Sequence, residues 1–335
     1  MRTRLAVAAV LVTVVALAGC GLGSGGERVT IYSGRTENLV GPLLERFADE
    51  TGIGVDVRYG QSADLALLID EEGDRSPADV FLSQSPGALG FLVGGGRLGR
   101  LPGEVLDLVD ARFRSSQGLW VGLSGRVRVL VYNTELVDEG DLPDSVFDLT
   151  DSRFRGDVAV APANASFQDF VTAMRELAGE DRTVEWLRGM AANDSPTYAN
   201  NTAIVQAVAR GEVPMGLVNH YYNHRQLAED PGSPTANHLF GDGDVGALLI
   251  TTGVGILDTT DSSEAAVRLV RFLLSEEAQR FFAEETFEYP LAHDVPATSG
   301  LPPLDSITTP TSDPNDLVGG LSATIELIED SGLDS

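Results

Sequence analysis

Strand-like and helix-like segments alternate along most of this chain, and that alternation restricts it to an α/β architecture. Residues 28–33, Arg-Val-Thr-Ile-Tyr-Ser, are rich in β-branched and aromatic side chains and read as a strand. Leu39, Val40, Leu43, Leu44 and Phe47 then fall on one face at helical spacing, and Gly52 and Gly54 close the helix. The pattern repeats as strand 55–59, helix 63–69, strand 78–82 and helix 86–93, which predicts a lobe built on a largely parallel sheet. A strand over 127–132 carries the chain toward a second lobe. There the pattern gives strands at 157–161 and 213–218, and helices at 167–177, 182–190 and 202–209. The apolar, β-rich stretch 248–257 is long enough to return to the first lobe, and helices at 262–274 and 276–282 follow it. Beyond Tyr289 the chain turns Pro- and Asp-rich, with a late amphipathic helix around 317–328. The expected division is 28–126 with 248–292 for lobe 1, and 127–247 with 293–335 for lobe 2.

The N-terminus points to export. Arg2 and Arg4 precede an apolar run over 5–17 and the sequence Leu17-Ala18-Gly19-Cys20, the form of a secretory signal. The run is too short for an ordinary membrane span. Cys20 at the cut resembles the lipobox of bacterial lipoproteins, in which that thiol is diacylated. Residues 21–27 then read as a flexible tether, and 1–20 as the lipoprotein signal peptide. Cys20 is the only cysteine, so disulfides and Cys-metal sites are excluded. The formal charge of −27, with every basic residue an Arg, repels nucleic acid and anionic headgroups.

Tyr221 and Tyr222 are adjacent in the run Val-Asn-His-Tyr-Tyr-Asn-His-Arg. Phenolate oxygen is a hard anionic donor suited to small, highly charged cations. A free phenol has a pKa of about 10, so only a strongly polarising metal holds two of them deprotonated near neutrality. Ferric iron is the common biological ion that does so, and tyrosinate ligation of iron has precedent. The bland alternative is one packed tyrosine and one facing solvent. His220 and His224 flank the pair at helical spacing, which could suggest a divalent metal site, but His220 reads rather as a residue behind the tyrosines or at the surface. Tyr32, Tyr132 and Tyr198 read as packed aromatics, and the acidic run 70–74 as solvated charge.

Tyr32-Ser-Gly-Arg-Thr-Glu, Ser76-Pro-Ala-Asp-Val-Phe81, Leu123-Ser-Gly-Arg-Val-Arg128, Asn219-His-Tyr-Tyr222 and Glu288-Tyr-Pro-Leu291 occur in a telling order. In these blocks, over residues 28 to about 295, the chain resembles the ferric-ion-binding proteins, substrate-binding components of bacterial iron ABC importers. The resemblance implies the two-lobe type II periplasmic-binding-protein fold, with ligand between the lobes and two strands as hinge. It implies that Tyr221 and Tyr222 ligate Fe3+, with carbonate or phosphate as a synergistic anion beside the metal. It also implies a non-catalytic, monomeric receptor that hands its cargo to an ABC permease and its ATPase subunits. The membrane would be reached only through the N-terminal lipid.

The match is incomplete at the metal. Familiar periplasmic members add a His and a Glu where this chain has Thr36 and Gln84, and others add a Tyr in the loop that here reads Asn164-Ala165-Ser166-Phe167. Asn164, Ala165 and Ser166 lead into a helix start, where free N–H groups and the macrodipole favour an anion. Asn201 and Asn219 match family positions near the anion, Arg35 is a candidate clamp from lobe 1, and Gln84 lies in the cleft by analogy. Against these stand plainer roles: helix caps for Thr36, Asn164, Ser166 and Ser85, and an ordinary ion pair for Arg35. Two other functions stay open: a same-fold receptor for an organic anion, chelated iron or polyamine, and a secreted hydrolase. The hydrolase lacks a Gly-x-Ser-x-Gly elbow, a catalytic Cys and a His-Glu-x-x-His pattern.

Overall fold

The fold is that of a computed structural model, which describes residues 26–298, 300–308, 310 and 320–333. The signal segment, Cys20, most of the tether and the first residues of the expected late helix lie outside the described residues.

The first lobe opens as the sequence pattern demands. Strand β1 (Arg28–Ser33), helix α1 (Glu37–Thr51), β2 (Gly54–Tyr59), α2 (Ser62–Glu72), β3 (Val80–Ser83) and α3 (Pro86–Gly94) follow in order, then a short α4 (Gly103–Leu106). The apolar stripe of α1 is buried, and Gly52 ends the helix in the left-handed conformation that glycine adopts without strain. β1 pairs in parallel with β2 and β3.

The long strand β4 (Trp120–Asn133) joins the two halves of the molecule. Its first half runs antiparallel to β8 (Leu249–Ile256) and to the short β9 (Tyr289–Pro290). Its second half runs antiparallel to β6 (Met215–Asn219) and β7 (Thr235–His238), and β5 (Val158–Ala159) lies parallel beyond β6. The order is β2-β1-β3-β8-β4-β6-β5, with β7 and β9 on β4. The sheet of lobe 1 is therefore mixed, not largely parallel. The returning strand β8 enters antiparallel to β3, because it comes back from the other lobe.

Helices cover both faces of each half, as an α/β sheet requires. In lobe 1, Val29, Ile31, Leu43, Phe47, Leu269 and Phe282 form one core layer, and Leu65, Phe81, Leu89 and Trp120 the other. Here α9 (Ser263–Leu273) and α10 (Glu276–Glu284) contribute after the chain returns. In the second half, α5 (Ala165–Ala178) and α6 (Glu180–Ala192) place Phe167, Phe170 and Trp186 against Leu130 and Leu217. Helix α7 (Asn201–Ala209) packs Ile204 and Val208 against Val129 and Val218 on the opposite face. A helix that the sequence pattern did not mark, α8 (His220–Glu229), begins directly after β6. The last helix, α11 (Leu321–Ser331), docks on α5: Arg175 donates to the Gly320 carbonyl at 2.9 Å, and Ile328 enters that core.

Candidate functional site

The tyrosine pair occupies the first turn of α8. Asn219 stands at the N-cap without a side-chain cap, and His220, Tyr221 and Tyr222 are the first three helical residues. The two phenol rings stack with centroids 4.2 Å apart. Tyr221 is buried and Tyr222 half-buried, so the bland alternative of one ring in and one ring out does not describe them. Unpaired N–H groups and the helix dipole favour negative charge at this position. Burial and then Tyr222 push the Tyr221 phenol above its ordinary range, while Arg126 and Arg35 pull it back. A proton leaves this phenol readily only when a strong cation replaces it.

The ring stack is anchored from behind. His220 is buried; its Nδ1 accepts from the Val127 N–H at 3.1 Å, and its Nε2–H donates to the Phe287 carbonyl at 2.8 Å. Those two bonds fix the tautomer, and burial with His224 nearby lowers the imidazole to about 4, so it is neutral. His220 is therefore not a surface residue. Phe287 adopts φ +58°, a left-handed conformation costly for a bulky residue, and so aims its carbonyl at His220.

Three arginines are buried around the pair. Arg35, at the exit of β1, pairs with the fully buried Glu288, which also accepts from the Ser124 hydroxyl. Arg126 donates to the Gln84 carbonyl, and Arg128 donates to Asn219 Oδ1 at 3.2 Å. Ser124, Arg126 and Arg128 alternate along β4 and so share one face. Among the described residues, Nε and one Nη of each arginine have no partner in the protein, and the same holds for Asn219 Nδ2 and Thr252 Oγ1. Burial lowers Arg128 to about 9, against the pull of Tyr222. Half-buried Asp169, one turn into α5, is raised by burial to about 6 against Arg126 and Arg128. Burial acts to raise Glu288 as well, but Arg35 and then Arg126 hold it below the usual carboxylate range.

The expected residues divide into two groups. Arg35, Gln84 and Asn219 join the arginine cluster through these bonds. Asn164, Ser166 and Asn201 instead form their own cluster: Asn164 Oδ1 accepts from Ser166 N–H at 3.1 Å, from its hydroxyl at 2.7 Å and from Asn201 Nδ2 at 3.1 Å. Asn164 thus caps α5, and Ala165 is the exposed first residue of that helix. Thr36 sits at the N-cap of α1, but its hydroxyl goes to Asn38 and not to the backbone. Ser85 precedes Pro86 at the start of α3, also without a side-chain cap bond. Arg126, Arg128, Ser124, Asp169 and Glu288 line the same site without any role expected for them from the sequence. The signal for two of them was present as a pair of charges inside an otherwise apolar strand.

Among the described residues, no group of three or more His, Cys, Asp or Glu side chains could hold a metal. No helix among them is long and apolar enough to cross a membrane. A cation beside Tyr221 and Tyr222 would meet phenol oxygens rather than a cluster of carboxylates or imidazoles.

A family model described as bacterial extracellular solute-binding protein matches residues 75–313. This chain belongs to that family. The solute-binding protein is 32% identical over 287 residues to the major ferric iron-binding protein of Neisseria meningitidis serogroup A, a match covering 84% of this chain and 86% of that protein. It is 30% identical over 319 residues to the Fe(3+)-binding periplasmic protein of Serratia marcescens, covering 94% and 93%. Among solved structures, iron-bound HitA from Pseudomonas aeruginosa matches with a TM-score of 0.85 at 35% identity, covering 92% of this chain and 100% of that one. The relatives are named as iron-binding proteins, and this chain is a two-lobe extracellular solute-binding protein, not an enzyme.

Proposed function

We propose that this protein captures ferric iron outside the cytoplasmic membrane, with Tyr221 and Tyr222 as metal ligands. The observation that carries this reading is the stacked phenol pair on a helix N-terminus, surrounded by buried arginines. Two phenolates satisfy a hard trivalent cation, and the relatives' names as ferric iron-binding proteins support that choice. An anion held by Arg35, and by the donors at Asn219 and the Asn164–Ser166–Asn201 turn, completes the coordination. Lobe 1 would comprise 28–126 with 248–292, and lobe 2 127–247 with 293–335. The docking of α11 on α5 supports the assignment of the C-terminus. Closure about β4 and β8 would bury the ion, and a permease that reads the closed form would receive it. Cys20 would carry the lipid that keeps this monomeric receptor at the membrane beside its permease and ATPase.

Equilibrium dialysis against radioactive iron in bicarbonate buffer tests the reading. Wild type should retain one iron per chain, and a folded Tyr221→Phe/Tyr222→Phe variant none. Equal retention by the two proteins would overturn it.

A further inference from the structure

One imidazole is bonded to both halves of the molecule. Helix α8 follows β6, which pairs with the second half of β4, and the Asn237 side chain on β7 donates to the His220 carbonyl at 2.9 Å. The main chain of His220 therefore belongs to that half. Its ring reaches the other. Nε2–H donates to the carbonyl of Phe287, which lies between α10 and β9, and β9 pairs with the first half of β4. Nδ1 accepts from Val127, where β4 passes from one half to the other.

The receiving segment is tied to α10 on either side of Phe287. The Thr286 hydroxyl donates to the Phe282 carbonyl at 2.8 Å, and the Glu288 N–H donates to the same carbonyl at 2.9 Å. Between these fixed points Phe287 stands at φ +58°. A bulky residue keeps such a conformation only where its surroundings over-determine it. Here the surroundings are two residues of α8. His220 takes the carbonyl, and His224, one turn on, stacks on the ring with centroids 6.2 Å apart. The next residue, Glu288, holds Arg35, whose charge acts on both tyrosines.

Rotation of one half against the other about β4 and β8 would part His220 from Phe287. Phe287 would then return to negative φ, and water would satisfy its carbonyl. The hydrogen bond thus favours the arrangement in which α8 meets the loop, and the backbone strain opposes it. Both effects are small and of opposite sign, so the contact holds and can still be undone.

We propose that His220 is a positioning residue that latches the tyrosine turn of α8 against the Phe287 loop, and that strain at Phe287 keeps the latch weak enough for iron to leave. This rests on the iron reading above. His220 itself is no ligand, because both ring nitrogens are committed to the main chain.

The test loads the full chain with ferric citrate and follows the decay of the phenolate-to-iron band in excess EDTA. His220→Phe keeps the ring without its bonds and should release iron about tenfold faster, the worth of one such hydrogen bond. His220→Gln offers one acceptor and one donor, and should restore most of the wild-type rate. Phe287→Gly removes the strain and should release iron several-fold more slowly than Phe287→Ala, which loses the same ring and keeps the strain. Asn193→Ala takes two buried hydrogen bonds from the C-terminal end of α6, and should release iron at the wild-type rate although it is less stable. Small-angle scattering of the iron-free proteins should give a larger radius of gyration for His220→Phe than for wild type or His220→Gln. A His220→Phe rate equal to wild type, or matched by Asn193→Ala, would overturn the latch and leave the iron reading intact. No band in wild type would overturn the iron reading instead, and equal radii would then overturn the latch separately. The Phe287 pair decides the question if His220→Phe does not fold: equal rates for Gly and Ala would contradict a strained latch.

Discussion

His220 Nδ1 accepts the main-chain N–H of Val127 at 3.1 Å, at the point where β4 has left one set of partners and not yet met the next. On that edge β4 last pairs with β9 at Gly125 and first pairs with β6 at Arg128. The imidazole fills the gap, and its other nitrogen holds the Phe287 carbonyl beside Glu288. The residue before the tyrosine pair thus ties α8 to the hinge strand and to the loop that carries the partner of Arg35.

Replacing His220 by Ala should leave a buried N–H and a buried carbonyl without partners, at about 1–3 kcal/mol for such a group. The urea midpoint should fall with the slope unchanged. A midpoint equal to wild type would mean that water substitutes for the ring and that the hinge does not depend on it.

Glu288 gives the protein an acid-sensitive element. Arg35 and Arg126 hold its folded-state pKa below the ordinary 4.5 in spite of burial. The unfolded chain therefore takes up this proton first as pH drops. The stabilisation is complete above about pH 4.5 and is lost as pH falls through the depressed folded value. Glu288→Gln should be less stable at neutral pH by roughly 3–5 kcal/mol, because it leaves Arg35 buried and unpaired. It should also show a flatter decline below pH 4.5. Parallel acid profiles for the two proteins would show that the pair contributes nothing there.

Gly34 lies where β1 turns toward α1, and a Cβ there would come within 1.9 Å of Ser62 Oγ and 3.2 Å of the Gln84 nitrogen. Ser62 Oγ accepts that same Gln84 N–H at 2.9 Å. Gly34→Ala should destabilise by about 1–3 kcal/mol through overpacking. Adding Ser62→Ala should restore part of the loss. Thermal melts of the three proteins measure this, and a single variant as stable as wild type would contradict the close packing.

The elements with a clear period were legible in the sequence. The strand at 28–33 coincides with β1, and the return strand over 248–257 differs from β8 by one residue at each end. Helix α8 was missed because Asn, His and Tyr interrupt any apolar stripe, and its start is set by β6 ending on the cleft. The two-residue β9 has too little length to carry a period. Tyr221, Tyr222 and Arg35 could be singled out from local motifs. The partner of Arg35 is 253 residues away, a separation that hides the pairing from any local reading. Arg126 and Arg128 read as ordinary strand residues until their burial makes each a charge in need of a partner.

The most direct measurement of the central claim is a visible absorption titration of the purified chain with ferric citrate, run beside Tyr221→Phe/Tyr222→Phe. Wild type should develop a phenolate-to-iron charge-transfer band that saturates at one iron per chain, and the double variant should stay colourless while remaining folded. A folded wild type that never colours, or a variant that colours equally, would show that these tyrosines do not hold ferric iron.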